Sequence, residues 1–476
     1  MHLTVKDGNA GGDMKVLVKD AKRLIFPLTP ISTGLGPVGN ATGTSKSPRV
    51  YAFSGIELRA PRHPLQHLVE QQSRHQKEDT MKSEIQTVST VRRPARGAQA
   101  SPMILNAPSH PSSPTQIPTA VVYCEGNFTK IDGKTANGLV RHSEAYRIVS
   151  VIDSTHSGEN AGLVLDGAIN DVPILESLNT AIARETFMPD TFIYGMAPST
   201  GRLSTVDRGV VLDAIVRGMN IVSGLHEYLS DDTEIARAAS DRQVTIRDIR
   251  KPKPSKDMRI FDGSIANVHA LRIAVLGTDC AIGKRTTATV MARALNAKGI
   301  KTVLVGTGQT GLMQGAKYGV AMDAVPPQFC CGELEGAIVA ASEAEQPDVI
   351  LIEGQGALSH PAFCTSTFIL RGSQPDAVIL QHAPKRSHRC DFPNMPMPTP
   401  TSEIALIEAF SDTKVIGITL NHEGMSEAEI TNTIAAQSEK LGLPVTDALS
   451  RPAAHLLAMI AAAYPGLQQG TPLAAI

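Results

Sequence analysis

The sequence has 476 residues, more than one ordinary domain holds. Its formal net charge of −1 conceals a split, with 15 Lys and Arg against 8 Asp and Glu in residues 1–118 and 30 against 38 in the remainder. There is no apolar stretch near the ~20 residues of a membrane span, no Cys-x-x-Cys pair among six cysteines and no Trp. This composition argues against a membrane protein, a zinc or thiol-redox module and an aromatic platform for nucleic acid, and a reducing, cytoplasmic location without a signal peptide is expected.

Residues 1–118 show no sustained periodicity, and six prolines fall between Pro94 and Pro118. The segment reads as a low-order, basic, Pro-rich extension that buries too little apolar surface to offset its ordering entropy. A basic arm for anionic partners is the alternative, and a third is a true start further along, at Met81 or Met103.

From residue 119 the pattern alternates. Strands are predicted at Ala120–Cys124, Ile148–Ile152, Thr191–Tyr194 and Ile221–Val222, with helices near Lys134–Ser143, Leu175–Arg184, Val206–Gly218 and Thr233–Asp241. Strands apolar throughout and separated by helices imply a parallel sheet covered on both faces. This is a Rossmann-like α/β domain over residues 119–255. Lys251-Pro-Lys-Pro254 and the polar stretch to Asn267 read as a linker.

A second domain, 256–476, is predicted with strands Arg272–Leu276, Thr302–Val305, Val349–Ile352, Ala377–Gln381 and Val415–Leu420. Helices are expected near Thr286–Ala297, Glu333–Ala344, Glu403–Phe410, Glu427–Lys440 and Ala453–Ala463. In such doubly wound sheets ligands bind beyond the carboxyl ends of the strands, so the loops there carry the chemistry.

The first of these loops, Gly277-Thr278-Asp279-Cys280-Ala-Ile-Gly283-Lys284-Arg285-Thr286, joins a buried strand to a helix through Gly-Lys, the setting of a phosphate loop. Backbone N–H groups, the helix N-terminus and Lys284 would converge on phosphate. The spacing is one residue longer than usual, and Arg285 stands where Ser or Thr normally ligates Mg²⁺, so bound polyphosphate fits better than metal-dependent cleavage. Cys280 is a small loop residue, or a thiol activated by the helix N-terminus.

Glu353, at the end of Asp348-Val-Ile-Leu-Ile352, is either a general base or a turn cap, and His360 is a second candidate acid or base. Gly308-Gln309-Thr310-Gly311 is a candidate substrate loop or a plain turn. His382, Lys385, Arg386, His388 and Arg389 gather cations after the fourth strand, as an anion site or a solvated charge run. In the first domain, Gly195–Gly201 and Ser223-Gly-Leu-His226 leave strand ends as weaker cleft candidates. None of these groupings has metal-ligand spacing, so no metal is expected.

Gly277-Thr-Asp-Cys-Ala-Ile-Gly-Lys284, Gly308-Gln-Thr-Gly311, Glu353-Gly-Gln-Gly356, Gly372-Ser-Gln-Pro-Asp376 and Ser223-Gly-Leu-His226 together resemble a two-domain bacterial and archaeal family long labelled as of unknown function. The resemblance spans residues 119–465. Some members look like N-acetyltransferases acting on D-amino acids, notably D-glutamate, with acetyl-CoA as donor. More distantly, the loop is similar to that of dethiobiotin synthetase, an ATP-dependent ligase with Thr after the lysine. The resemblance implies an acetyl-CoA site on Gly277–Thr286 and a small amino-acid substrate bound by Gln309, Thr310, His382, Lys385 and Arg386. It leaves Glu353 or His360 as the base. ATP with Mg²⁺ is the alternative pair, a non-enzymatic nucleotide switch is the third reading, and a homo-oligomer is expected.

Overall fold

The computed structural model describes residues 117–469 except Ser199, together with three short strands near the N-terminus. Those strands, Val5–Lys6, Met14–Val16 and Leu24–Phe26, pair antiparallel, and the rest of the predicted extension up to residue 116 lies outside the described residues.

The first α/β unit is built on six strands: β1 (Thr119–Tyr123), β2 (Arg147–Ile152), β3 (Ile174–Leu175), β4 (Thr191–Tyr194), β5 (Asn220–Ser223) and β6 (Ile246–Asp248). Their spatial order is β3-β2-β1-β4-β5-β6 and every neighbouring pair is parallel, the Rossmann order. Val121, Val122, Phe192 and Ile193 are wholly buried, as strands covered by helices on both faces require.

Seven strands form the second sheet: β7 (Leu271–Gly277), β8 (Thr302–Gly306), β9 (Tyr318–Gly319), β10 (Val349–Glu353), β11 (Ala377–His382), β14 (Lys414–Leu420) and β15 (Val445–Asp447). Their order is β9-β8-β10-β7-β11-β14-β15, again all parallel. A separate hairpin, β12 (His388–Arg389) and β13 (Phe392–Pro396), follows β11. Strand β7, which leads into the loop at Gly277, thus lies between β10 and β11. At Gly354 the chain leaving β10 passes so close to β7 that a Cβ would sit 2.0 Å from the Val275 carbonyl oxygen, which only glycine tolerates.

Several local predictions shift. Leu175, expected to start a helix, closes the edge strand β3, and the helix begins at Leu178, where the Ser177 side chain caps the Thr180 N–H. Propensity could not see this, because an edge strand of two residues is decided by its neighbour. Gly308–Gly311, read as a substrate loop or a plain turn, instead opens a helix, Gln309–Gln314, and β6, β15, the β12–β13 hairpin and the helix Thr365–Ser373 were not anticipated.

The Gln309–Gln314 helix couples the two sheets. Met313 is fully buried in the hydrophobic cluster of the first unit. The Gln309 amide donates to Thr135 Oγ1 (3.1 Å), Gln314 donates to the Gly138 carbonyl (2.5 Å), and the Thr135 and Thr310 hydroxyls meet at 3.0 Å. Arg250 donates to both Gly224 O and Gln309 Oε1.

Candidate functional site

The site forms where β7, β10 and β11 end. After Gly277 the chain turns through Ala281, which adopts the left-handed conformation, and Gly283 at φ 99°, then enters the helix Lys284–Ala297. Gly283 is required at that φ, which strains any side chain. The turn points Lys284 back into its own loop: its ammonium donates to the Asp279 carbonyl (2.5 Å), and burial pulls its pKa down.

Asp279 is wholly buried in the same turn. Its Oδ2 accepts from Arg386 Nη1 (3.1 Å) and from the Cys390 N–H (2.9 Å). Arg386 also donates to the Cys280 and Ala281 carbonyls and pairs with Glu423 (2.9 Å), so it straps the loop rather than standing free. The neighbouring Arg389 donates to Thr278 O (3.3 Å) and to Ser359 (2.8 Å to Oγ). Both arginines sit at the root of the hairpin, which thereby folds down over the phosphate loop.

His360 reaches the same point from the β10 side. Its ring stacks on Phe363 (4.7 Å between centroids) and tilts against Phe392 of the hairpin (5.6 Å). Nδ1 accepts the Ala362 and Phe363 N–H groups at 3.3 and 3.2 Å, which places the ring proton on Nε2. Burial lowers its pKa, so the ring is a neutral N–H donor. Nε2 lies 3.9 Å from Asp279 Oδ1, both side chains are inaccessible, and neither atom has a hydrogen-bond partner. Cys280 completes the cluster, with its Sγ, a His360 ring nitrogen and an Asp279 carboxylate oxygen within 4.8 Å of one another. Buried polar atoms are rarely left unsatisfied in folded proteins, so an unpaired donor facing an unpaired acceptor marks a place for ligand chemistry.

The predicted residues divide into three groups. Gly277, Thr278, Asp279, Cys280, Gly283, Lys284, His360, His382 and Arg386 converge here; His382, whose Nδ1 meets Thr278 Oγ1 at 3.0 Å, has its pKa pulled down to about 4 by burial. Thr286 stands in the first turn of the helix that opens at Lys284. Glu353 lies beside the loop, but its Oε2 accepts from the Thr307 and Gly308 N–H groups (3.1 and 3.3 Å), so it anchors that turn; burial raises its pKa while Arg285 opposes the rise.

Arg285, Gln309 and Thr310 are turned elsewhere. Arg285 donates to Gln314 and closes on Gly138, where any Cβ would lie 2.5 Å from its guanidinium, so it serves the contact between the two sheets and not the loop. One helical residue after Lys284, it necessarily projects about 100° away around the helix. Lys385 is exposed and bonded to Glu429 (2.5 Å). Arg389 belongs to the cation group read after the fourth strand, whereas Ser359 and Cys390 were absent from the predicted set. The one available signal was proximity to Arg386 in sequence, and the folding back of the hairpin was not legible.

Among the described residues no helix is long and apolar enough to cross a membrane. Residues 154–252 match a family described as a domain of unknown function, DUF1611_N, Rossmann-like domain, and residues 259–457 match its companion, the DUF1611_C P-loop domain. A protein of Tritonibacter scottomollicae named D-glutamate N-acetyltransferase is 34% identical over 278 residues, 57% of this chain and 81% of that protein. A protein of the same name from a Pseudoalteromonas species is 33% identical over 265 residues, 54% of this chain and 77% of its own. The crystal structure of a DUF1611 family protein from Anabaena variabilis superposes with a TM-score of 0.67 at 30% identity, covering 72% of this chain and 99% of that one.

Proposed function

The chain belongs to the DUF1611 family of paired Rossmann-like and P-loop domains, and from that premise we propose that it is an N-acetyltransferase moving an acetyl group from acetyl-CoA to the amino group of a D-amino acid, D-glutamate foremost. The acceptor and the acetyl transfer come from the names of the two relatives, and acetyl-CoA as donor comes from the family resemblance. The observation in this chain that carries the reading is the unpaired couple of His360 Nε2–H and Asp279 Oδ1, 3.9 Å apart.

An amine attacking a thioester passes through a tetrahedral intermediate that carries an N–H beside a C–O⁻. The site offers one group for each. His360 Nε2–H donates to the developing oxyanion, and Asp279 Oδ1 accepts the proton that the amine must lose. Stacking on Phe363 and the two N–H bonds at Nδ1 hold the imidazole in the donor tautomer, so His360 is not the base. Asp279 takes that role in place of Glu353, whose carboxylate already holds the Thr307–Gly308 turn. Lys284 and Arg389 supply fixed positive charge for the carboxylates of the acceptor.

In this arrangement the thioester meets the loop. The diphosphate of the donor then lies beyond it, because the pantetheine arm separates the two by far more than the width of the turn.

The test follows thiol release from acetyl-CoA with D-glutamate, L-glutamate or no acceptor, beside ATP and Mg²⁺ with the same acceptors. Release dependent on D-glutamate is expected, with acetylated product by mass. Acceptor-dependent ATP cleavage without release of CoA would replace this reading with that of a ligase.

A further inference from the structure

Cys280 is the one member of the cluster to which the direct transfer assigns no task. Its thiol sits on the loop between Asp279 and Ala281, half-buried, with Sγ within 4.8 Å of a His360 ring nitrogen and of an Asp279 carboxylate oxygen. Cys390, brought over the loop by the hairpin, lies on its other side: Cys280, Cys390 and Asp391 also gather their ligand atoms within 4.8 Å.

A bound metal is the obvious reading of such a cluster, and the geometry opposes it. A metal on His360 Nε2 would need the proton on Nδ1, which instead faces two backbone N–H donors. Arg386 and Arg389, at 3.1 and 4.0 Å from the Asp279 carboxylate, already supply its countercharge.

The same surroundings suit a thiolate. The Cys390 thiol donates to Asp391 Oδ2 (3.2 Å) and to the Cys280 carbonyl (3.7 Å), which keeps it against the Cys280 thiol, and the Lys284 ammonium and the opening turn of its helix add positive potential. The adjacent Cys390 and the charge of Lys284 hold the Cys280 thiol below its usual pKa against the opposing effects of burial and of the Asp391 and Asp279 carboxylates, while Cys390 is pushed up.

We propose that Cys280 is a nucleophile that carries the acetyl group as a thioester between donor and acceptor, in the site formed with His360 and Asp279. The inference rests on the acetyl-transfer reading. In the first step Cys280 Sγ attacks the acetyl carbonyl, the new C–S bond forms, and the C–S bond to CoA breaks with its electron pair leaving on the CoA sulfur. In the second, the amine nitrogen attacks the enzyme-bound carbonyl, the C–S bond to Cys280 breaks, and the surplus proton passes to Asp279 and on to solvent. The two steps are redox-neutral and regenerate the thiolate. His360 Nε2–H donates to the oxyanion in both.

A relay can be read without the acceptor. The wild-type protein, mixed with acetyl-CoA and labelled CoA but no amino acid, is expected to exchange label between them, and tryptic peptides from an acid quench should carry hydroxylamine-labile acetyl on Cys280. Parallel initial-rate lines should accompany this. Cys280→Ala is expected to abolish exchange and lower kcat at least ~100-fold, with Cys280→Ser as the second variant should the alanine form fail to fold. Iodoacetamide should alkylate Cys280 with a midpoint below the ~8.5 of an ordinary thiol, and acetyl-CoA should protect it. Intersecting lines with no exchange, or a folded Cys280→Ala at full turnover, would overturn the relay while leaving direct transfer intact. A wild-type protein that acetylates no amine would instead overturn the reading on which the relay rests.

Discussion

The two parallel sheets end in very different ways, although each carries a wholly buried aspartate at its carboxyl edge. In the Rossmann-like unit Asp153 is saturated: Oδ1 accepts from the Gly126 N–H, the Thr155 N–H and the Thr155 hydroxyl, and Oδ2 accepts from the Phe128 N–H. Burial would raise its pKa, but these bonds outweigh it and hold the carboxyl below its ordinary value. In the P-loop unit Asp279 has only Oδ2 satisfied, and Oδ1 faces an equally unpaired histidine nitrogen. A saturated carboxylate fixes a turn. An unsaturated one, held in place by its other oxygen, is available to move a proton.

This contrast breaks most readily at Asp279. Asp279→Asn keeps the shape and an acceptor for Arg386 but removes the proton acceptor, and kcat for acetyl transfer should fall by about 10³, or ~4 kcal/mol in the barrier; a variant that keeps wild-type turnover would return the base to Glu353. His382 gives the next largest effect, on stability. Its folded pKa near 4 lies below the 6.5 of the free side chain. Between those values the unfolded chain binds a proton that the fold refuses, so stability is intact above pH 6.5 and declines by up to ~3 kcal/mol as pH falls toward 4. His382→Asn should flatten this part of the acid slope in urea titrations at pH 7 and 4.5, and an unchanged slope would mean that the imidazole is protonated in the fold.

Asp153→Asn sharpens the comparison from the other sheet. It turns an amide toward backbone donors and should lower stability by ~2 kcal/mol while kcat stays within twofold; loss of turnover in the folded variant would show that the Rossmann-like edge shares in the chemistry. The smallest effect is expected at Lys385, whose pair with Glu429 is surface-exposed. Lys385→Ala should change stability by no more than ~0.5 kcal/mol and leave the KM for the acceptor unaltered. A large rise in KM would restore it to the substrate site that the cation-rich sequence predicted.

Much of this protein was legible in its residues. Apolar runs such as Val349–Ile352 and Ala377–Gln381 can only be strands buried on both faces, and their alternation with helices dictates parallel sheets. Gly283-Lys284 after β7 marked the loop, and Glu353 and His360 were legible as candidate acid–base groups, which the fold buries near it. The sequence could not say which nitrogen of His360 carries the proton, because that follows from two N–H groups aligned by the turn at Ala362 and Phe363. It could not separate Arg285 from Lys284, since adjacent helical residues diverge and only the neighbouring sheet reveals where the second one goes. Nor could it place Arg389 and Cys390 above Asp279, more than a hundred residues away in the chain. Local pattern determines which segments become strands, helices and tight turns. The pairing of Asp279 with His360 depends on β7, β10 and β11 lying side by side, a nonlocal packing result that no local periodicity encodes.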